Sequence, residues 1–282
     1  MTALKKQRVL GVGVTATSYS EVCALSNQWI QQSREPDGGQ APQAGRYICV
    51  TSVHGIMAAR SNPVFRRILN EADLVTPDGM PVVWAMRSFG CRAQTRVYGP
   101  TLMLALCAQA ERRRHRIFLY GARRDTLQAL QRNLLVRFPD LQIVGWYAPP
   151  FRPLTRQEDA RVTGRVRASK AELVFVGIST PKQEAWMSAH KATLPGVVML
   201  GVGAAFDFHS GRVRQAPAWM QRSGLEWFYR LLMEPRRLWR RYLLQTPLFL
   251  PLWWLQLSAM LWDRYRQRNS PVADGACPEG WT

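Results

Sequence analysis

The chain of 282 residues has no C-x-x-C pair, and its five cysteines, Cys23, Cys49, Cys91, Cys107 and Cys277, are odd in number and widely spaced. That pattern excludes a zinc ribbon or a dithiol redox centre and fits a reducing compartment. Acidic residues are scarce: 19 Asp+Glu stand against 38 Lys+Arg, a formal net charge of +19. Such an excess draws phosphates, anionic lipid or nucleic acid and says nothing about fold. Gly11 and Gly13 make only half of a dinucleotide fingerprint, because the third glycine is missing. The opening MTALKKQRVLGVGV has too short an apolar run for a secretion signal and reads as a first strand. Internal repeats and low-complexity blocks are absent as well.

What is present is an alternation of short β-branched runs with stretches of helical period, the pattern of a doubly wound sheet. Strands are expected at 8–14, 46–51, 74–75, 116–120, 141–145, 173–178 and 197–202. Helices are expected at 21–32, 81–89, 101–114, 125–138, 155–169 and 181–190. The predicted fold class is α/β: a Rossmann-like, mostly parallel sheet flanked by helices, with a helical, membrane-associating C-terminal appendage. The spacing divides the body into two βα-rich halves meeting around 95–115. Domain boundaries follow composition: 1–210 as the catalytic body, 211–268 as a basic, Trp-rich appendage, and 269–282 as a disordered tail. Glu35 to Gly45 reads as a Pro/Gly-rich surface loop.

In such sheets ligands sit beyond the carboxyl ends of the strands, so the loops there carry the candidates. VTSVHG offers Thr51, Ser52 and His54, and VTPDGM offers Thr76, Asp78 and Gly79. Asp78 lies between a proline and a glycine, where it is either an ordinary turn or cap residue or a general base exposed at a strand end. VGISTPKQEAW carries Lys182 and Gln183 at a helix start, a place suited to phosphate and equally to a plain capped helix. GVGAAFDFHSG brings small residues for close backbone approach and one acid, Asp207.

Taken together and in this order, TPDGMP, VYGP, TPKQE, GVGAAFDF and the GLEW/EPRRLWRRYL tail resemble the WecG/TagA/CpsF glycosyltransferases, glycosyltransferase family 26. The resemblance covers roughly Val9 to Leu244. It implies an inverting enzyme that moves a sugar from a UDP-sugar to a polyprenyl-diphosphate-linked acceptor in bacterial surface polysaccharide or exopolysaccharide synthesis. It also implies no cofactor and no divalent metal; consistent with this, the sequence has no D-x-D pair to hold a metal against a diphosphate. Asp78 matches the family acid taken as the base for the acceptor hydroxyl. Gln183 and Asp207 match positions of the nucleotide-sugar pocket, with Tyr98 of VYGP beside them. Arg230, Arg237 and Arg240 match arginines that close over the diphosphate. Positions seven apart share a helix face, although Pro235 is expected to start a new helix between them. Ser52 departs from the pattern, since many members carry Asn there. The VHG loop and basic tail resemble the exopolysaccharide branch and imply a glucosyl donor; an N-acetylmannosamine-type donor is the alternative.

The tail itself points to a surface. From Gly211 to Arg268 eleven arginines face only Glu226, Glu234 and Asp263. Tyr242 to Trp262 carries no charge but contains Pro247 and Pro251. With Trp239, Trp253, Trp254 and Trp262 flanked by arginines, the stretch reads first as a helix lying in the headgroup region, with a true span and docking on a protein partner as the alternatives. The expected location is peripheral, on the cytoplasmic face of the inner membrane, where a lipid-linked acceptor diffuses in the inner leaflet. Self-association stays open. A nucleic-acid binder and a non-catalytic member of the same fold are the other classes; partition onto liposomes against polyanion separates the first of these, and loss of function in Asp78→Ala the second.

Overall fold

In the computed structural model, residues 4–35 and 43–269 are described. The expected disordered tail, save Asn269, and most of the Glu35 to Gly45 loop lie outside that set, as do the side chains of Arg237 and Arg240.

Six parallel strands form one sheet in the order β4-β3-β8-β7-β5-β6, where β3 is Arg46–Thr51, β4 Leu74–Pro77, β5 Ile117–Gly121, β6 Ile143–Tyr147, β7 Leu173–Gly177 and β8 Val198–Gly201. Strands buried on both faces read as continuous apolar runs. In β7, Leu173 and Phe175 enter one core while Val174 and Val176 enter the other. One face is covered by α1 (Tyr19–Arg34), α5 (Gly99–Arg113), α6 (Arg124–Arg137) and α9 (Ala205–His209). The other is covered by α2 (Val53–Ser61), α3 (Pro63–Asn70), α4 (Met80–Ser88), α7 (Arg156–Ala168) and α8 (Lys182–His190). Capping boxes at Ser18/Glu21 and Thr155/Glu158 start α1 and α7, satisfying amide donors that the first turn leaves free.

Two expectations need correction, and the division into halves takes a definite form. The run 8–14 is no strand of the main sheet but a hairpin, β1 (Lys6–Val9) with β2 (Val12–Thr15), because Leu10 and Gly11 both take positive φ and turn the chain. The strands before 95 and those after 115 occupy opposite sides of the sheet and join where β8 pairs with β3, Ile48 opposite Leu200, so a single sheet contains both halves. The sixth strand begins at Ile143 and runs to Tyr147, two residues beyond its expected end.

After α9 the chain forms α10 (Ala218–Arg222), α11 (Glu226–Met233) and α12 (Pro235–Trp239), a π-helical turn at Arg240–Gln245, and α13 (Thr246–Asn269). Pro235 starts α12, as its missing N–H favours at a first helical position. One stripe of α13 packs on the body. Phe249 is fully buried in the core, Leu252, Trp253, Leu257 and Met260 lie against it, and the Gln256 amide bridges the hairpin, accepting from Leu10 N–H and donating to Arg8 C=O. Among the described residues, no helix is long and apolar enough to cross a membrane.

Candidate active site

The carboxyl ends of β3, β4, β7 and β8 open onto a cleft of about 410 Å³, lined among others by Ser52, His54, Asp78, Gln183, Asp207 and Arg230. A smaller chamber of about 110 Å³ adjoins it beneath the tail, with Met80, Pro81, Glu226, Trp227, Tyr242 and Thr246 in its walls. Five residues line both spaces: Ser52, His54, Asp78, Tyr98 and Arg230. Asp78 thus stands at the wall between a polar cleft over the sheet and a chamber roofed by the tail.

Local structure fixes Asp78 there. Its backbone N–H donates to Thr51 C=O at 2.9 Å, tying the end of β4 to the end of β3. Gly79 follows with φ 89°, a conformation that costs a side-chain-bearing residue about 1 kcal/mol or more, and α4 begins at the next residue. Arg96 Nε donates to Asp78 Oδ1 at 3.0 Å, and Arg96 Nη2 lies 2.7 Å from Glu226 Oε2 on α11. Tyr98 Oη donates to the other Glu226 oxygen at 2.9 Å, and the Arg96 guanidinium lies 4.0 Å over the Tyr98 ring. Burial alone would lower the Arg96 pKa, but the Asp78 and Glu226 carboxylates more than offset it and push the value up. Burial, then Glu226 and Asp78, push the Tyr98 phenol well above its usual range, so Tyr98 remains an O–H donor.

Across the cleft, the Gln183 amide is held at both ends. Its Oε1 accepts from Gly203 N–H at 3.1 Å, and its Nε2 donates to Glu184 Oε1 at 3.0 Å, which also accepts from Thr180 Oγ1 at 2.8 Å. Gly201 makes room for this arrangement: a Cβ there would stand 3.0 Å from Gln183 Nε2. Burial raises the Glu184 pKa, opposed by its hydrogen bonds from Thr180 and Gln183. Arg230 reaches over the Phe208 ring at 5.5 Å, and its Nε is buried without a hydrogen-bond partner among the described residues.

Of the residues singled out from sequence, Ser52, His54, Asp78, Gly79, Tyr98, Gln183, Asp207 and Arg230 come together around the two chambers. Thr51 and Thr76 do not line either one; they are buried inside β3 and β4, beneath the cleft floor. Lys182 is exposed and also off the walls, because the first turn of α8 turns Gln183 inward and Lys182 out. Ser52 and His54 belong not to an open loop but to the cap and first turn of α2. Sequence reading passed over Arg96 and Glu226. Arg96 immediately precedes the VYGP motif, and Glu226 is one of three acids in a strongly basic tail, which was the available signal.

The family model described as "Glycosyl transferase WecG/TagA/CpsF family" matches residues 7–262. The chain belongs to this family. It is a glycosyltransferase, and the motifs that mark the family gather at the cleft. A relative from Bacillus subtilis (strain 168), an N-acetylglucosaminyldiphosphoundecaprenol N-acetyl-beta-D-mannosaminyltransferase, is 34% identical over 199 residues, covering 71% of this chain and 75% of that protein. A protein of the same description from Bacillus spizizenii (strain W23) is 32% identical over 199 residues with the same coverage.

Proposed function

We propose that this protein transfers a sugar from a UDP-sugar to a sugar carried on a polyprenyl diphosphate, by single displacement with inversion and without a divalent metal. The observation that carries the reading is the position of Asp78 on the wall shared by the two chambers. The larger cleft suits a nucleotide-sugar, with Gln183 and Asp207 as donor contacts. The smaller chamber, open toward the tail, suits the acceptor sugar. Asp78 takes the proton of the acceptor hydroxyl as that oxygen attacks the anomeric carbon; the bond from carbon to the phosphate oxygen breaks, and its electron pair leaves with UDP. Arg230 neutralises the departing diphosphate, the work that a metal does in D-x-D enzymes; the same role expected of Arg237 and Arg240 falls on side chains outside the described set.

The acceptor class draws on the names of the Bacillus relatives, which describe transfer to a diphosphoundecaprenol-linked sugar. The same names favour an N-acetylmannosamine-type donor. A glucosyl donor is the second reading, favoured by Ser52, which offers a hydroxyl at the cleft where many family members place an amide.

The tail brings the enzyme to its lipid-linked substrate as a peripheral protein on the cytoplasmic side of the membrane. Supporting this, α13 is apolar on two faces: one is covered by the body, and Leu250, Trp254, Leu255, Leu261 and Trp262 on the other remain exposed. A surface helix that is apolar all round needs a second covering, and lipid headgroups beside an arginine-rich segment supply it.

The decisive assay is UDP release from a panel of UDP-sugars with a short-chain polyprenyl-diphosphate-sugar acceptor, with EDTA present. Acceptor-dependent release with UDP-N-acetylmannosamine is the expected result; release with UDP-glucose alone selects the second reading. No release without added metal overturns metal independence, and no release with any donor, metal and liposomes included, overturns the transfer itself.

A further inference from the structure

Arg96 divides itself between two carboxylates from distant parts of the chain. Its Nη2 lies 2.9 Å from Asp78 Oδ1 and 2.7 Å from Glu226 Oε2. Glu226 opens α11 and is buried, so the tail closes this cluster from outside the sheet. The charged and titratable groups around Asp78 come from every neighbouring element: Tyr19 from α1, His54 from α2, Arg96 and Tyr98 from the segment before α5, Glu226 and Arg230 from α11, and Tyr242 from the π-helical turn.

A carboxylate that receives charge-assisted hydrogen bonds from a guanidinium is stabilised as an anion and becomes a weaker base. A second carboxylate on the same guanidinium competes for that stabilisation. We infer that Glu226 is a positioning residue for the transfer, holding one arm of Arg96 so that the Asp78 carboxylate keeps the basicity needed to take the acceptor proton. The inference rests on Asp78 being the general base. It also accounts for the state after proton transfer: once Asp78 is neutral, Arg96 still has Glu226, and no unpaired buried cation is created. Tyr98, which donates to Glu226 Oε1, sets how much of the Glu226 charge is left for Arg96.

The test is the pH dependence of kcat in the full chain. Glu226→Gln keeps the size of the side chain but removes its charge and one of its two acceptor oxygens. The amide cannot accept from both Arg96 and Tyr98 as the carboxylate does, and Arg96 is left largely to Asp78. Expected are a fall in kcat of about tenfold and a shift of the acidic limb to lower pH by about one unit, with donor KM within about twofold. Tyr98→Phe acts in the opposite sense: Glu226 then draws Arg96 harder, and the acidic limb moves to higher pH. A merely structural role would lower the melting temperature or raise KM and leave the limb in place. An unmoved limb in Glu226→Gln, whether or not kcat falls, overturns the inference; if that variant does not fold, an unmoved limb in Tyr98→Phe overturns it. Asp78→Asn separates the two levels. If it turns over normally, the base assignment fails and the inference with it; if it is inactive while Glu226→Gln behaves as wild type, the inference alone fails.

Discussion

The sheet and the tail use apolar side chains in opposite ways. In the sheet, Ile48, Phe175 and Leu200 are wholly buried, each worth about 1.5 to 3 kcal/mol of burial. In the tail, Trp239, Trp254 and Trp262 leave 42%, 68% and 57% of their surface exposed, while Leu238 and Phe249 nearby are buried. The body therefore buries most of its large apolar residues in its own fold, although Val64, Trp84, Val136 and Phe151 stay exposed, whereas the tail uses one face to anchor and holds the other outward. The site straddles this divide. Asp78 comes from a loop of the body, Gln183 from the first turn of α8 and Asp207 from α9, and Glu226 and Arg230 come from α11. The difference teaches that the body supplies most of the cleft, and that the tail both anchors in the body's core through Phe249 and adds Glu226 and Arg230 to the two chambers.

The largest expected effect breaks the chemistry on the body side alone. Asp78→Asn should lower kcat about a thousandfold, within the range for loss of a general base, while UDP-sugar binding by calorimetry stays near wild type. Normal turnover would remove Asp78 from the mechanism. Arg230→Ala, on the tail side of the same cleft, should weaken both binding and turnover, because a cation facing a diphosphate acts on ground state and transition state together.

Next in size is the anchor. If the buried stripe of α13 behaves as core, Phe249→Ala should lower unfolding free energy by about 3 kcal/mol, measured by urea denaturation. A loss below about 0.5 kcal/mol would make the tail an independent attachment, not part of the same cooperative unit.

Charge pairs of the body far from the cleft should affect stability only. Glu172 receives hydrogen bonds from Arg34 Nε at 2.6 Å and from Arg116 N–H at 2.9 Å. Burial would raise its pKa, but Arg34 and Arg116 more than offset this and hold it below the ordinary value of 4.5. A lowered carboxylate pKa stabilises the fold above the unfolded value and loses that contribution as pH falls through the folded value. Glu172→Gln should therefore cost about 2 kcal/mol at neutral pH and progressively less below pH 4.5, with turnover per folded molecule unchanged. An equal deficit at every pH would show that packing, not charge, holds the site together.

The same divide governs how much was legible in the sequence. β7 and β8 were readable because doubly buried parallel strands are unbroken apolar runs, and α7 because Thr155 and Glu158 form a local capping box. The Asp78 and Gln183 loops were readable because they follow such strands directly. The hairpin was hidden, since two short strands of one composition read as a single run until Leu10 and Gly11 turn it. Helices α2 and α3 were hidden because VHGIMAARSNPVFRRILN is broken by Gly55 and Pro63, although Pro63 starts α3. Arg96 and Glu226 had only weak local signals, a place beside VYGP and a rare acid in a basic tail: they lie 130 residues apart and acquire meaning only when α11 closes on the sheet.

The smallest effect sharpens the tail's outward face. Trp254 sits on α13 opposite the anchoring stripe and is 68% exposed, so removing its ring takes little from the folded protein. Trp254→Ala should change unfolding free energy by less than about 0.5 kcal/mol. If that face lies in the headgroup region, the lost ring takes apolar area from the bound state alone, and affinity for anionic vesicles should fall about threefold to tenfold. Activity toward a short-chain, water-soluble acceptor should stay unchanged while activity toward a vesicle-embedded acceptor falls with affinity. Unchanged vesicle affinity would mean that this face is covered by something other than lipid, and that the exposed tryptophans and the arginines beside them answer to a different partner.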